Sequence, residues 1–191
     1  MEYFNKDEFA ELCAQYGKNA VIKEDFDVYK NESFFNSFQY NICQDRRGEV
    51  VFFLQRGNGK FVLIRSKNYS KGLYRAPTGG VGFSEKVIDA LSREVKEELG
   101  VDYEICAFLG VMRQHISFKN QKLVFNSYVF HLREISGNLI ADATSDEVEE
   151  YIEADKNTIL EIVNNLKNSK GSMRDWASFR SHTTGFILDF I

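Results

Sequence analysis

The chain has 191 residues, of which 43% are hydrophobic and 27% are charged, and its formal net charge is −4. This composition is that of an ordinary globular protein, and it excludes a disordered or fibrous chain. The small negative charge gives no general attraction to long nucleic acid or to an anionic membrane, although a few local cations can still hold a small phosphorylated ligand. We therefore expect one domain over residues 1–191 with a small-molecule partner.

The N-terminal sequence and the cysteines indicate the cellular location to expect. Residues 1–17 interleave acids with apolar residues and do not resemble a signal peptide. No window approaches the roughly 18 apolar residues that span a bilayer. Cys13, Cys43 and Cys106 are odd in number and show no CxxC or zinc-type spacing, which indicates reduced thiols rather than a disulfide framework. We expect a cytoplasmic protein without a membrane partner.

The first elements lie before residue 67. Helical spacing of apolar residues predicts a short amphipathic helix over 6–16, within an N-terminal extension (1–35) that packs on the domain. Alternation over 37–43 predicts a strand. The β-like runs 49–55 and 60–66 flank an Asn-Gly pair, which is typical of the tight turn of a β-hairpin.

The second half of the chain continues the alternation of strands and helices. A polar, glycine-containing loop is predicted from 67 to 78. Two further β-like runs occupy 105–116 and 122–132, and helical periodicity after an acidic patch predicts helices over 158–166 and 173–190. The aromatic stripe of the last helix indicates core packing.

The stretch from Gly79 to Val101 contains the chemically informative residues. Ser84 is a favourable N-cap and Gly100 a favourable C-terminal stop, so we predict one helix over 85–99, entered from a glycine loop. At about 100° per residue, the apolar positions fall on one side of this helix and bury it.

Three glutamates share an adjoining face of that helix. Glu94, Glu97 and Glu98 are spaced i, i+3 and i+4, so their like charges repel one another. A hard divalent cation with oxygen ligands, Mg²⁺ or Mn²⁺, would neutralise them. Arg93 can brace one carboxylate as a bidentate partner. Gly79 lets the backbone approach closely, so that a main-chain carbonyl can join the ligands.

Gly79, Glu85 and the run from Arg93 to Val101 fill every defining position of a pattern that resembles a complete Nudix box, GX5EX7REUXEEXGU. Ser84 stands where the family often has glycine and the doubled glycine is shifted by one position, so the resemblance leaves the detailed conformation of the loop open. The resemblance implies a Nudix fold of the α/β class, an α/β/α sandwich around a mixed β-sheet, here with an N-terminal helical extension and C-terminal helices. It also implies hydrolysis of a nucleoside diphosphate linked to another moiety.

The resemblance implies a role for each box residue. Four groups would bind metal: Glu94, Glu97, Glu98 and the carbonyl of Gly79. Arg93 would orient Glu94 or a neighbouring carboxylate, and Glu85 would hold the loop. The general base is either a box residue, Glu98 or Glu94, or a member of a later acidic run. We favour Glu147 in that run, with a solvated acidic loop as the alternative. The run comprises Asp146, Glu147, Glu149 and Glu150.

Candidate substrate contacts lie outside the box. Arg65, at the end of the hairpin strand that leads to the box, and Arg75, just before the box, are the best candidates to bind phosphates, with ordinary surface charge at least as good an interpretation for either. Phe118 or Tyr74 could stack on a base, whereas an aromatic residue in a strand more often belongs to the core.

Two other functions remain open on the same fold. One is a non-catalytic nucleotide-binding or regulatory protein, and the other is an isomerase of allylic diphosphates. The complete set of glutamates disfavours both. No marker of a substrate subclass follows the box, and the sequence leaves a homodimer open.

Overall fold

The computed structural model describes residues 3–17, 19–67, 69–145 and 147–191. In these ranges a seven-stranded mixed sheet has the order β1-β5-β6-β2-β3-β7, with β4 paired to β2. The strands are β1 (Val21–Val28), β2 (Gly48–Gln55), β3 (Phe61–Ser66), β4 (Thr78–Val81), β5 (Val101–Phe118), β6 (Gln121–Gly137) and β7 (Val148–Ala154). The helices are α1 (Lys6–Tyr16), α2 (Glu32–Gln44), α3 (Val87–Glu98), α4 (Lys156–Lys167) and α5 (Arg174–Gly185).

Helices cover both faces of the sheet. Alternate residues of β2 point to opposite sides, so that Phe52 packs with α1 and α3 while Phe53 packs with α4 and α5. Strand β2 is therefore buried on both faces, as expected for a central strand of an α/β sandwich. The predicted fold class, an α/β/α sandwich around a mixed sheet, is confirmed. No helix in the described ranges is long and apolar enough to cross a membrane.

The N-terminal region differs from the prediction. The helix over 6–16 is present as α1, but the strand predicted at 37–43 is wrong because α2 covers it. The Asn31 side chain caps this helix, and Phe35 and Ile42, seven residues apart, are buried on one of its sides. Alternation over seven residues did not distinguish this pattern from a strand.

Strand β1 was not predicted. It lies at the edge of the sheet, parallel to β5, so the segment treated as an extension contributes a strand. Strands β5 and β6 form a long antiparallel ribbon that extends beyond the two predicted runs. The hairpin of β2 and β3 is antiparallel, as predicted.

The C-terminal half brings the acidic segment to the sheet. Residues 148–154 form β7, which pairs antiparallel with β3. The helix predicted at 158–166 is present as α4. The single helix predicted over 173–190 is divided, because α5 ends at Gly185 and a 3-10 turn, Phe186–Asp189, follows.

Candidate active site

Helix α3 begins later than predicted. Ser84 is not its N-cap, because the helix starts at Val87 and Lys86 occupies the cap position without a side-chain hydrogen bond. Glu85 lies before the helix, where its backbone N–H donates to the Gly82 carbonyl at 3.2 Å. The Glu85 carboxylate accepts from the Gly82 N–H at 3.0 Å, which closes a tight turn. The sequence departure at Ser84 therefore coincides with a turn closed by Glu85.

The residues predicted as a glycine loop form strand β4. Gly79 and Gly80 pair with Val50 and Glu49 of β2, which fixes them beside α3. A Cβ atom built on Gly79 would lie 1.7 Å from Cδ of Glu94. Only glycine lets the Glu94 side chain lie against this strand.

Arg93 joins the acidic groups of the box. Its guanidinium donates to Glu85 at 3.0 and 3.1 Å, to Glu94 at 2.6 Å and to Glu97 at 3.1 Å. A further bond of 2.8 Å reaches the Gly80 carbonyl. The structure therefore places Arg93 where it can orient Glu94 and tie the turn to the helix. Burial acts to raise the pKa of Glu85, but the bonds from Arg93 and the Gly82 N–H outweigh it and lower that pKa.

Glu98 is the most buried carboxylate of the set. Burial raises its pKa to about 7, against an opposing effect of Arg75 and with further increases from Glu94 and Glu147. Its Oε2 atom is buried and has no hydrogen-bond partner within the described ranges. Burial likewise raises the pKa of Glu94, although Arg93 opposes the shift. A carboxylate oxygen in this position would be stabilised by a cation.

The donor set fits a hard divalent cation by its chemistry, since its side-chain ligands are all carboxylates. Arg93 already holds one oxygen each of Glu94 and Glu97. Among the residues described, no group of three Asp, Glu, Cys or His side chains has the arrangement needed to bind a metal ion without some rearrangement. The unpartnered oxygen of Glu98 is the feature that fits a metal best.

A small cleft of about 180 Å³ opens over these residues. Its lining is Arg46, Thr78, Gly79, Gly80, Glu94, Glu97, Glu98, Ser145 and Glu147. The Ser145 N–H donates to the Glu97 carbonyl at 2.9 Å, so the loop before β7 is tied to the end of α3. The cleft thus brings Glu147, the favoured base, beside the box. Asp146 of the same acidic run lies outside the described residues.

Arg46 is the cleft cation that the sequence reasoning missed. Its side chain is 35% exposed and pairs with the neighbouring, exposed Asp45, to which it donates at 3.0 Å. Its guanidinium carbon lies 3.1 Å from where a Cβ of Gly80 would be. The signal was the strand register: Glu49 pairs with Gly80 and Gly48 with Val81, so the residues just before β2 lie next to the box. That register was not readable from one sequence.

Arg65 does not line the cleft. Its side chain is 4% exposed and donates to Glu149 and Glu150 at 2.7 Å each. These two acids of the predicted run therefore bind an arginine, and the bonds from Arg65 and Tyr74 lower the pKa of Glu150 to about 2. The phosphate-binding role of Arg65 stays a prediction, and the burial of its side chain outside the cleft does not favour it.

Arg75 and Phe118 are buried. The Arg75 guanidinium donates to the Ala76 carbonyl at 2.9 Å and the Thr78 hydroxyl at 3.1 Å, and lies 3.7 Å from Glu98. It is therefore placed behind the carboxylates rather than at the cleft surface. Phe118 stacks on Phe35 at a centroid distance of 5.3 Å and belongs to the core. Base stacking by Phe118 stays a prediction, and the burial of its ring against Phe35 does not favour it.

The mixed sheet lies between helices, and helix α3, with the buried Glu94 and Glu98, packs against the glycines of strand β4. These features define an α/β protein with a cluster of carboxylates at one helix. A family model described as the NUDIX domain matches residues 45–175, more than half of the chain. The chain belongs to the Nudix family. The fold and the box therefore agree with the resemblance seen in the sequence.

Individual proteins match this chain at low sequence identity. Nudix hydrolase 8 of Arabidopsis thaliana is 30% identical over 137 residues, covering 64% of this chain and 36% of that protein. The mitochondrial NAD(P)H pyrophosphatase NUDT13 of Mus musculus is 33% identical over 75 residues, covering 39% and 21% of the two chains. The solved structure of a MutT protein from Methanosarcina mazei Go1 has a TM-score of 0.47 at 21% identity and covers 70% of this chain and 91% of that one. The chain spans about a third or less of the length of the two curated relatives.

Proposed function

We propose that the protein hydrolyses the pyrophosphate bond of a nucleoside diphosphate linked to another moiety, and that it requires Mg²⁺, with Mn²⁺ as a substitute. The observation that carries the proposal is Glu98, a buried carboxylate with an unpartnered oxygen and a raised pKa at the base of an acidic cleft. A buried charge of this kind is costly unless a cation compensates it. Family membership supports the same reaction class.

The metal would be held by Glu94, Glu97 and Glu98, with the Gly79 carbonyl as an accessory ligand. When bound, Mg²⁺ supplies positive charge that offsets the charge of the diphosphate and makes water more acidic. Gly79 contributes by admitting the Glu94 side chain, and Arg93 by fixing the carboxylates of Glu94 and Glu97 relative to the turn.

Glu147 is the proposed general base. It lines the cleft from the loop before β7, close enough to Glu98 to raise that residue's pKa. A base must lie within hydrogen-bond reach of the attacking water, and a residue at the cleft rim can satisfy this without giving up a metal ligand. Glu98 and Glu94 are the alternatives within the box.

Two arginines, Arg46 and Arg75, are proposed to have different roles. Arg46, partly exposed at the cleft and paired with the exposed Asp45, would exchange that pairing for the substrate phosphates as a charge-assisted donor. Arg75, buried 3.7 Å from Glu98, would instead hold that carboxylate in place through its charge. This assignment keeps Arg75 functional but moves it from substrate contact to ligand positioning.

A hydrolysis screen with Mg²⁺ tests the function. The panel comprises ADP-ribose, NADH, nucleotide sugars, dinucleoside polyphosphates, coenzyme A and modified nucleoside triphosphates. NADH comes first because the mouse relative is named an NAD(P)H pyrophosphatase. We expect turnover that EDTA abolishes and that Mg²⁺ or Mn²⁺ restores. Metal-independent turnover, or none on any member, would contradict the proposal.

The second candidate is a nucleotide-binding protein without turnover. The bonds of Arg93 to Glu94 and Glu97 favour it, because they neutralise part of the acidic cluster without metal. Calorimetric titration with the same panel discriminates the two functions. Tight binding of a nucleotide, without hydrolysis of any member of the panel, would support this second candidate.

A further inference from the structure

The N-terminus of the box helix is capped by a residue from another helix. The cap position of α3, Lys86, makes no side-chain hydrogen bond. The first helical N–H, that of Val87, donates instead to Oε1 of Glu8 in α1, at 2.8 Å. A carboxylate at a helix N-terminus satisfies an otherwise unpaired donor and interacts favourably with the helix dipole. Helix α3 therefore takes its cap from the N-terminal segment.

The same carboxylate is also paired with Arg47. The Arg47 guanidinium donates to Oε1 of Glu8 at 3.0 Å and lies 2.8 Å from Oε2, and the Glu8 and Arg47 side chains are only 13% and 10% exposed. Arg47 also donates to the Glu85 carbonyl at 2.7 Å. Both ends of the turn before α3, Glu85 and Val87, are thus tied to one buried ion pair.

The contacts continue to the carboxylates of the cleft. The Glu85 side chain accepts two bonds from Arg93, and Arg93 donates to Glu94 and Glu97. A second contact joins the N-terminal segment to the same turn, since the ring of Tyr3 meets that of Phe83 edge-on at 5.2 Å. A displacement of Glu8 would therefore be transmitted, through the turn and Arg93, to two proposed metal ligands.

We propose that Glu8 is a positioning residue of the active site, and that α1 is a working part of that site. Glu8 lies outside the stretch 45–175 that matches the family, so the N-terminal segment supplies this support to the matched domain. The proposal rests on the proposed function for its kinetic consequences. Its physical content, the placement of the α3 N-terminus, is measurable without turnover.

Two substitutions separate the components of the contact. Glu8→Ala removes both the acceptor for the Val87 N–H and the partner of Arg47, whereas Glu8→Gln keeps a neutral acceptor and removes only the charge. Glu11→Gln is the matched control, because it makes the same charge change on the same helix at an exposed position. All variants are made in the full chain.

Three readouts are taken: amide exchange across α3, Mn²⁺ affinity by calorimetry, and kcat with KM on the best substrate of the screen. We expect Glu8→Ala to expose the first-turn amides of α3, to weaken Mn²⁺ binding, and to lower kcat about tenfold with little change in KM. Glu8→Gln should fall between Glu8→Ala and the wild type, and Glu11→Gln should match the wild type.

The outcomes keep the two proposals distinct. Equal amide exchange and Mn²⁺ affinity in Glu8→Ala and Glu11→Gln would overturn the positioning role, whatever the substrate. If Glu8→Ala fails to fold, the comparison of Glu8→Gln with Glu11→Gln decides the question, and identical values overturn the proposal. A wild-type protein that neither binds Mn²⁺ nor turns over any substrate would refute the proposed function, while the exchange readout would still test the cap.

Discussion

Replacing Gly79 by alanine tests how the structure positions the carboxylate of Glu94. The new Cβ would lie 1.7 Å from Cδ, 2.0 Å from Cγ and 2.2 Å from Oε2 of Glu94, far closer than non-bonded atoms can approach. Because Gly79 has no positive φ, its backbone tolerates alanine, and the conflict falls on the Glu94 side chain. Glu94 must therefore move by more than 1 Å, roughly the displacement that costs on the order of 10²-fold in rate when a reacting geometry is disturbed.

The cost to folding should be smaller than the cost to activity. Inserting one methyl group into a packed site destabilises a protein by roughly 1–3 kcal/mol, which a domain of this size usually survives. Gly82→Ala is the matched control, because a Cβ there meets its nearest neighbour, Glu85, at an ordinary 3.5 Å. The assay compares kcat and Mn²⁺ affinity for the two variants, with thermal unfolding as the check on folding. Equal kcat and metal affinity in the two variants would refute the reasoning.

Three further predictions follow from the same cleft. Arg46→Ala should raise KM several-fold with a smaller effect on kcat, whereas Arg133→Ala at a surface ion pair should change neither; equal KM values in steady-state assays would count against phosphate contact. Glu147→Gln should lower kcat about 10²-fold or more while leaving Mn²⁺ affinity near the wild-type value, and Glu149→Gln, which bonds Arg65, should not; a kcat ratio near unity would exclude Glu147 as the base. In EDTA, the stability of the wild type relative to Glu98→Gln should fall by a few kcal/mol as pH rises from about 4.5 to 7, because the folded state keeps the Glu98 proton that the unfolded state releases; parallel urea-unfolding profiles of the two proteins would contradict it.

The box and the central fold were predictable because their signals are local. The spacing of Glu94, Glu97 and Glu98 lies within one helix, and the hairpin of β2 and β3 is marked by its Asn-Gly turn. The start of α3 was misplaced because Ser84 has the chemistry of an N-cap. The tertiary cap from Glu8 replaces it, and no local pattern shows such a contact.

The surroundings of the other candidate residues depend on long-range pairing. Arg46 reaches the cleft only through the register of β2 with β4, and Arg65 is diverted by the pairing of β3 with β7, which brings Glu150 opposite it. Phe118 was considered for base stacking from its position after the box, but α2 covers it with Phe35. Residues 37–43, in the second half of helix α2, had been predicted as a strand, so the packing surface of this helix could not be anticipated.

The central claim is that Glu98 holds a divalent cation that the reaction requires. The most direct measurement is Mg²⁺-dependent hydrolysis of the best panel substrate by the wild type and by Glu98→Gln, with Mn²⁺ affinity measured on the same samples. We predict that Glu98→Gln loses turnover by a factor on the order of 10³ or more and binds Mn²⁺ more weakly, while its thermal stability without metal is equal or higher. Wild-type turnover and Mn²⁺ affinity in Glu98→Gln would contradict the account.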